Sequence, residues 1–277
     1  MMTSEPAINV EAFKKFEREG YSRMAQGYDQ ATASVTSQAN DAILDAVGTG
    51  PGTSLLDVAC GPGWLSAAAL KRGTVVTALD FAENMVTIAC RRCPEADIQT
   101  ADAEDLPFEV DRFDAVVCSL GILHLPAPER AISEAHRVLK PGGRYAFTCW
   151  TPPVCNPFFG LVFGSVQKHG NMNVNLPPGP PPFRFGEVTE CEKALRAVGF
   201  TSVSVSELPM VWPFATPEDI VPAVVASTAR IGPILEMQTP EQRRSIENAI
   251  TEGAKKYVTP RGVEIPTAVL LAVGQKA

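Results

Sequence analysis

From Leu55 to Trp150 the chain alternates short, unbroken apolar runs with amphipathic segments at helical spacing. The runs read as strands at Leu55–Ala59, Val75–Leu79, Ala115–Ser119 and Arg144–Trp150, with Ile98 marking a shorter one. Between them, Trp64–Lys71, Ala82–Arg92 and Pro128–Leu139 read as helices. A strand that is apolar along its whole length must be covered on both faces. Strands separated by helices pair in parallel, through right-handed crossovers. The expected fold is therefore α/β, a Rossmann-like and mostly parallel sheet with helices on both faces. A chain of 277 residues that is 45% hydrophobic suits one such domain with a small cap.

The flanks carry the cap. Residues 9–48 show helical apolar spacing at Val10, Phe13, Phe16, Met24, Tyr28, Ile43, Leu44 and Val47, closed by Gly48 and Gly50-Pro51-Gly52. Residues 1–48 are thus expected to form a helical N-terminal cover on a core of 49–277. At Thr151 the regularity breaks into a proline-rich stretch ending near Phe185, within which Phe158–His169 can form a helix. A stretch of that length is more often a functional lid than a passive loop, so 151–185 is read as a lid, with a surface excursion as the alternative. Residues 217–257 look helical, and 209–257 is read as a second insertion on the substrate side. Val188–Val198 reads as a helix, Val203–Leu208 as a strand and Ala268–Gly274 as the closing strand.

Charge and cysteine usage narrow the partners. A net charge of −7 opposes nucleic acid and anionic membrane surfaces. No apolar run reaches the ~18 residues of a membrane span. Met1–Gly20 lacks an apolar stretch followed by a cleavage site, so no secretory signal is read. The seven cysteines are an odd number and fit reduced thiols in the cytoplasm. Cys90 and Cys93 form a lone CxxC with no second pair, so no metal site is expected.

The chemistry is concentrated in Leu55-Leu56-Asp57-Val58-Ala59-Cys60-Gly61-Pro62-Gly63, which leaves a strand and enters a helix. Gly61 and Gly63 permit a tight turn and close approach of a ligand. The free N–H groups of the following helix favour polar or anionic ligand groups. Asp80 ends the next strand about 20 residues on, where a carboxylate can accept from both hydroxyls of a ribose. The pattern reads as nucleoside binding at the carboxyl edge of the sheet. The dinucleotide fingerprint lacks its last glycine, which is Ser66 here, and this weakens a nicotinamide oxidoreductase.

With four motifs in order, the chain resembles the class I S-adenosylmethionine-dependent methyltransferases, in the branch related to the ubiquinone/menaquinone C-methyltransferases. The motifs are Leu56–Gly63, Val76–Met85, Asp102–Phe108 with Phe113–Val117, and Leu139–Gly143. The resemblance implies a seven-stranded sheet with an antiparallel last strand, S-adenosylmethionine as cofactor and S-adenosylhomocysteine as product. It implies that Ala59, Cys60, Gly61 and Gly63 border the methionine part, that Asp80 holds the ribose, and that Phe81 and Met85 line the adenine. Asp102, Ala103 and Glu104 would face the adenine, Ser119 and Leu120 would approach the amino acid and sulfonium, and Tyr28 would touch the carboxylate. Asp57 either contacts the cofactor or organises the glycine turn.

Methyl transfer from a sulfonium is a direct displacement, in which a base matters only if the acceptor carries a proton of high pKa. His124, beyond the fourth strand, is the candidate base, with no chemical duty as the alternative reading. His136 reads as structural and His169 as solvent-facing. An aromatic bias at Trp150, Phe158, Phe159, Phe163, Phe183, Phe185 and Trp212, with Tyr21 from the cover, suggests a pocket for a flat or apolar small-molecule substrate. Lid packing is the alternative. Arg184 can pair with an acidic substrate group or stand at the surface. The leading function is methylation of O, N or C of a small, largely apolar or aromatic metabolite, by a monomer or homodimer. A cofactor-binding protein that does not methylate is the alternative.

Overall fold

The computed structural model describes residues 8–277, so the first seven residues of the expected cover lie outside the described part. The cover is one long helix, α1 (Val10–Thr36), followed by α2 (Asn40–Ala46). Asn9 starts α1 by accepting the Ala12 N–H at 3.0 Å, and Phe13, Tyr21, Ala25 and Val35 bury its inner stripe. Then the alternation unfolds as β1 (Ser54–Val58), α3 (Trp64–Lys71), β2 (Val75–Asp80), α4 (Glu83–Arg92), β3 (Asp97–Thr100), β4 (Phe113–Ser119), α5 (Pro128–Val138) and β5 (Leu139–Trp150). The remainder is α6 (Pro157–His169), α7 (Val188–Val198), β6 (Thr201–Phe214), α8 (Ile220–Ser227), α9 (Ile231–Glu236), α10 (Pro240–Ala254), β7 (Val258–Thr259) and β8 (Gly262–Gln275).

The strand order is β3-β2-β1-β4-β5-β8-β6, with the two-residue β7 beside β8 as an eighth strand. β1 to β5 pair in parallel, and β8 runs antiparallel to both β5 and β6. The order reverses between β1 and β4, where the carboxyl ends of the strands leave a crevice. Alternate side chains feed two cores. Leu55, Val76 and Val117 pack toward Ile43, Leu65, Phe158, Val224 and Ile250. Leu56, Val116 and Phe147 pack toward Ile132 of α5 and Leu195 of α7. Removing one such leucine side chain costs about 2–5 kcal/mol. Among the described residues no helix is long and apolar enough to cross a membrane.

Several strands are longer than their sequence suggests, β5, β6 and β8 most of all. β6 continues from Leu208 to Phe214, so the expected boundary of the second insertion at 209 falls inside a strand. Pro209, Pro213 and Pro266 disguise this ribbon as a loop. Proline is tolerated because β6 is an edge strand, and past the Trp150–Val269 pair the ribbon has lost β5 on its other side. The alternation is nonetheless clean, with Met210, Trp212 and Phe214 buried between exposed neighbours. β5 begins at Leu139, before the turn-like Lys140-Pro141-Gly142-Gly143, because Leu139 pairs with Phe113 ahead of a register shift.

Candidate active site

The first wall of the crevice is the turn after β1. Ala59, Gly61 and Gly63 all take left-handed φ, at +56°, +54° and +83°. A Cβ on Gly61 would meet nothing within 4 Å, so its face is open, whereas one on Gly63 would stand 3.1 Å from the Ala89 Cβ of α4. Asp80 braces this turn. Its Oδ2 accepts the Gly61 N–H at 2.8 Å and its Oδ1 the Ala82 N–H at 2.9 Å. Burial pushes the Asp80 carboxyl up to about 6, against the pull of those two donors. Each oxygen keeps a second lone pair for a ligand hydroxyl.

Asp57 does not line the crevice. It lies behind the turn, accepting the Ser66 hydroxyl at 2.6 Å, and burial pushes its carboxyl up to about 7. Ser66, which departs from the dinucleotide fingerprint, is thus the partner that holds Asp57. Cys60 and Gly63 also sit in the turn without lining the crevice, and burial pushes the Cys60 thiol well up. Ala59, Gly61, Asp80, Phe81 and Met85 do line it, with Asp102, Ala103, Ser119 and Leu120 opposite. Glu104 turns away. Its Oε1 accepts the Ala127 N–H at 2.6 Å, and its Oε2 meets Lys14 Nζ at 2.5 Å.

Helix α1 roofs the crevice. Lys14 Nζ reaches Asp102 Oδ2 at 2.6 Å, and both residues line the cavity. Further along, Asp29 takes Arg92 Nη2 on both oxygens, at 3.0 and 2.9 Å, and the Trp64 indole N–H at 2.7 Å. Arg92 stacks over Trp64 at 3.7 Å and donates to the Pro62 carbonyl, so α1 is clasped to the glycine turn itself.

A second cavity adjoins the first, and Tyr21, Tyr28, Leu120 and His124 line both. Its walls include Trp150, Phe159, Phe163, Phe183 and Trp212. Trp150 and Trp212 stack at 6.1 Å with 7° between planes. Phe158 and Phe185 lie outside the cavity lining. Phe158 stacks on Trp212 at 4.2 Å from behind, and Phe185 packs against Phe147 in the other core.

Two of the four shared residues, Tyr21 and His124, form a polar relay that ends on Glu17 of α1. Tyr21 Oη lies 2.9 Å from His124 Nε2, and His124 Nδ1 lies 3.1 Å from Glu17 Oε2. Glu17 is fully buried. Burial, with the Glu17 charge, pushes the Tyr21 phenol well above its usual range, and burial pushes Tyr28 up to about 12. Both are neutral hydroxyls at physiological pH. His136 instead stands edge-on to Phe200 at 4.8 Å, His169 lines neither cavity, and Arg184 is paired with Glu129 and Glu190. No group of three or more His, Cys, Asp or Glu is arranged to hold a metal among the described residues.

Lys14, Glu17 and Asp29 escape sequence reasoning because they look like ordinary charges on a solvated helix. The available signal was spacing: Lys14, Glu17, Tyr21 and Tyr28 share one face of α1.

A sheet reversed at its end, with a glycine turn at the switch point and a carboxylate closing the neighbouring strand, defines a Rossmann-like fold. Within it, residues 56–147 match the family model described as a methyltransferase domain. The match covers about a third of the chain. The chain is 40% identical over 116 residues to a demethylmenaquinone methyltransferase of Renibacterium salmoninarum, covering 42% of this chain and 49% of that one. It spans about half the length of the curated relatives it matches. In fold it is similar to phosphoethanolamine N-methyltransferase 2 of Haemonchus contortus, in complex with S-adenosyl-L-methionine, with a TM-score of 0.59 at 19% identity, over 97% of this chain and 60% of that one. It is also similar in fold to the [4+2]-cyclase SpnF, with a TM-score of 0.54 at 18% identity, over 87% of this chain and 81% of that one.

Proposed function

We propose that this chain methylates an oxygen, nitrogen or carbon atom of a small, largely apolar or aromatic metabolite by direct displacement. The observation that carries this reading is the meeting of two cavities at Tyr21, Tyr28, Leu120 and His124. One cavity has the features a nucleoside needs and the other has aromatic walls, so donor and acceptor would approach at a single point. When bound, S-adenosylmethionine supplies an electrophilic methyl group on a good leaving group.

The residues fit that cofactor. Asp80 has lone pairs free for the ribose hydroxyls, Gly61 leaves open space beside it, and Phe81 and Met85 offer apolar faces for the adenine. Asp102 and Ala103 stand where the adenine edge would lie, with Lys14 closing that end. Holding acceptor and donor in line can be worth about 7–11 kcal/mol of the barrier. Tyr28 and Leu120 exclude water at the junction. For an acceptor carrying an O–H or N–H, Tyr21 takes the proton while passing its own to His124 Nε2, and the Glu17 carboxylate balances the imidazolium. Such a relay contributes roughly 10²–10⁴-fold.

The names of the curated relatives make a quinone-like ring the first acceptor to try. Seven free thiols support a cytoplasmic location, and we assign no nucleic-acid partner. The second reading is a cofactor-binding protein that does not methylate, because a [4+2]-cyclase shares this fold. Incubating the purified protein with S-adenosylmethionine and a panel of hydroquinones and naphthols separates the two. Release of S-adenosylhomocysteine with a methylated ring supports transfer. Product formation without that release supports the second reading.

A further inference from the structure

The acceptor cavity has an unusual polar inventory. Its serine and threonine hydroxyls are turned back on their own helices. Thr32 donates to the Tyr28 carbonyl at 2.7 Å, Thr36 to Thr32 at 3.1 Å, Ser227 to Ala223 at 2.6 Å and Thr228 to Val224 at 2.7 Å. The Trp212 N–H is taken by the Ala31 carbonyl at 3.3 Å. Among the described residues no aspartate or glutamate lines it, in a chain that carries a net −7 overall. Among the described residues, the one permanent cation on the wall is Arg230, at the start of α9.

Arg230 is only partly engaged. Of the five N–H donors of a guanidinium, one is hydrogen-bonded, from Nη2 to the Pro177 carbonyl of the lid at 2.9 Å. Nη1 is buried without a hydrogen-bond partner, and faces Glu17 Oε1 at 3.5 Å, itself without one. The guanidinium also lies over Phe13 and Phe16, at 5.4 and 5.7 Å, which fixes its plane between α1 and the lid. Arg184, the arginine suggested by sequence, is spent on two glutamates.

We infer that Arg230 recognises an anionic oxygen on the acceptor, so that the substrate class is a flat aromatic acid or an ionised hydroxy-aromatic. This rests on the reading of the second cavity as the acceptor site. Aromatic walls select the ring by stacking, while the spare guanidinium donors supply the charge-assisted bonds that the hydroxyls cannot. Glu17 competes for the same cation and bridges it to His124. The residue that orients the base therefore also limits how tightly the anion is held.

The test is binding, read by quenching of tryptophan fluorescence at saturating S-adenosylhomocysteine. The probes are 2-naphthoate and its uncharged counterpart 2-ethylnaphthalene. The wild type should prefer the naphthoate by about tenfold or more, the equivalent of one charge-assisted hydrogen bond. Arg230→Gln should lose that preference while still binding the hydrocarbon, and Arg230→Lys should keep part of it. Glu17→Gln should bind naphthoate more tightly than the wild type. The double variant Glu17→Gln/Arg230→Gln, which leaves no unpaired buried charge, should show no preference even if Arg230→Gln alone folds poorly. An unchanged preference in the double variant, or none in the wild type, overturns the inference. Calorimetric titration with S-adenosylhomocysteine keeps the two readings apart. Intact cofactor binding with no naphthoate preference sinks the Arg230 assignment alone, whereas a wild type that binds no cofactor sinks the underlying reading and this inference with it.

Discussion

Replacing Asp80 with alanine removes the group on which nucleoside binding is argued to turn. If each carboxylate oxygen accepts one ribose hydroxyl, two charge-assisted hydrogen bonds are lost, at about 1.5–3 kcal/mol each. Water entering the vacated space returns part of that. A net loss of about 3 kcal/mol remains, raising the Kd for S-adenosylhomocysteine by about 100-fold. Stability moves far less. The rise of the Asp80 carboxyl from 3.8 to about 6 means that ionised Asp80 costs the fold about 3 kcal/mol at neutral pH, which alanine relieves. Against this, the Gly61 and Ala82 N–H groups lose their partners, at about 1–3 kcal/mol each if they stay dry. The opposing effects are similar in size, so Asp80→Ala should remain folded with a Tm within a few degrees of wild type. Isothermal titration calorimetry on protein checked by thermal melting measures both. A folded variant that binds the nucleoside within about threefold of wild type would falsify the assignment of Asp80, because no burial or packing change could mask a loss of that size.

Binding should also depend on pH through the same group. A bound hydroxyl donates to the ionised carboxylate, so affinity is full above about 6 and falls as Asp80 is protonated below it; complex formation near that pH releases protons. Calorimetry in buffers of different ionisation enthalpy reads the release, and a Kd flat between about pH 5 and 7 contradicts the argument. Tyr21→Phe keeps the ring and removes the hydroxyl that meets His124; it should lower kcat for a hydroxylated acceptor about 100-fold and leave cofactor affinity unchanged. Equal kcat would show that the proton leaves by another path. In Gly121→Ala the new methyl would stand 2.6 Å from the Ala59 Cβ and 2.8 Å from Cys118 Sγ, where β1 and β4 end; urea unfolding should show a loss of about 1–3 kcal/mol, and wild-type stability would mean this corner is loosely packed. Asp29→Asn weakens the clasp of α1 on Arg92, so limited proteolysis should cut within residues 8–36 faster than in wild type, an effect that bound cofactor reverses; equal cleavage rates would mean that the clasp does not hold the roof.

The parallel sheet, the glycine turn and Asp80 were all legible in the chain, because each depends on residues close in sequence. Apolar runs choose strands, glycines permit left-handed φ, and a carboxylate at a strand end lies beside the turn of its parallel neighbour whatever else the fold does. Asp57 and Glu104 show where local reading stops. Both carry the motif, yet Ser66 claims one and the Ala127 N–H with Lys14 claims the other, so neither faces the crevice. Pro209 and Pro213 hid the end of β6, since a proline is read as a break until the strand is known to lie at an edge. The aromatic cavity was less legible still. Its aromatic bias showed in the composition, but Phe158 and Phe185 differ from Phe159 and Phe183 only in which way each element faces. Glu17 meets a histidine 107 residues away, and Lys14 an aspartate 88 residues away. A charged side chain on a helix has the same local pattern whether it is solvated or buried against a distant partner. Only the packing of α1 and of residues 151–185 over the sheet decides which charges are desolvated, and desolvation is what makes them count.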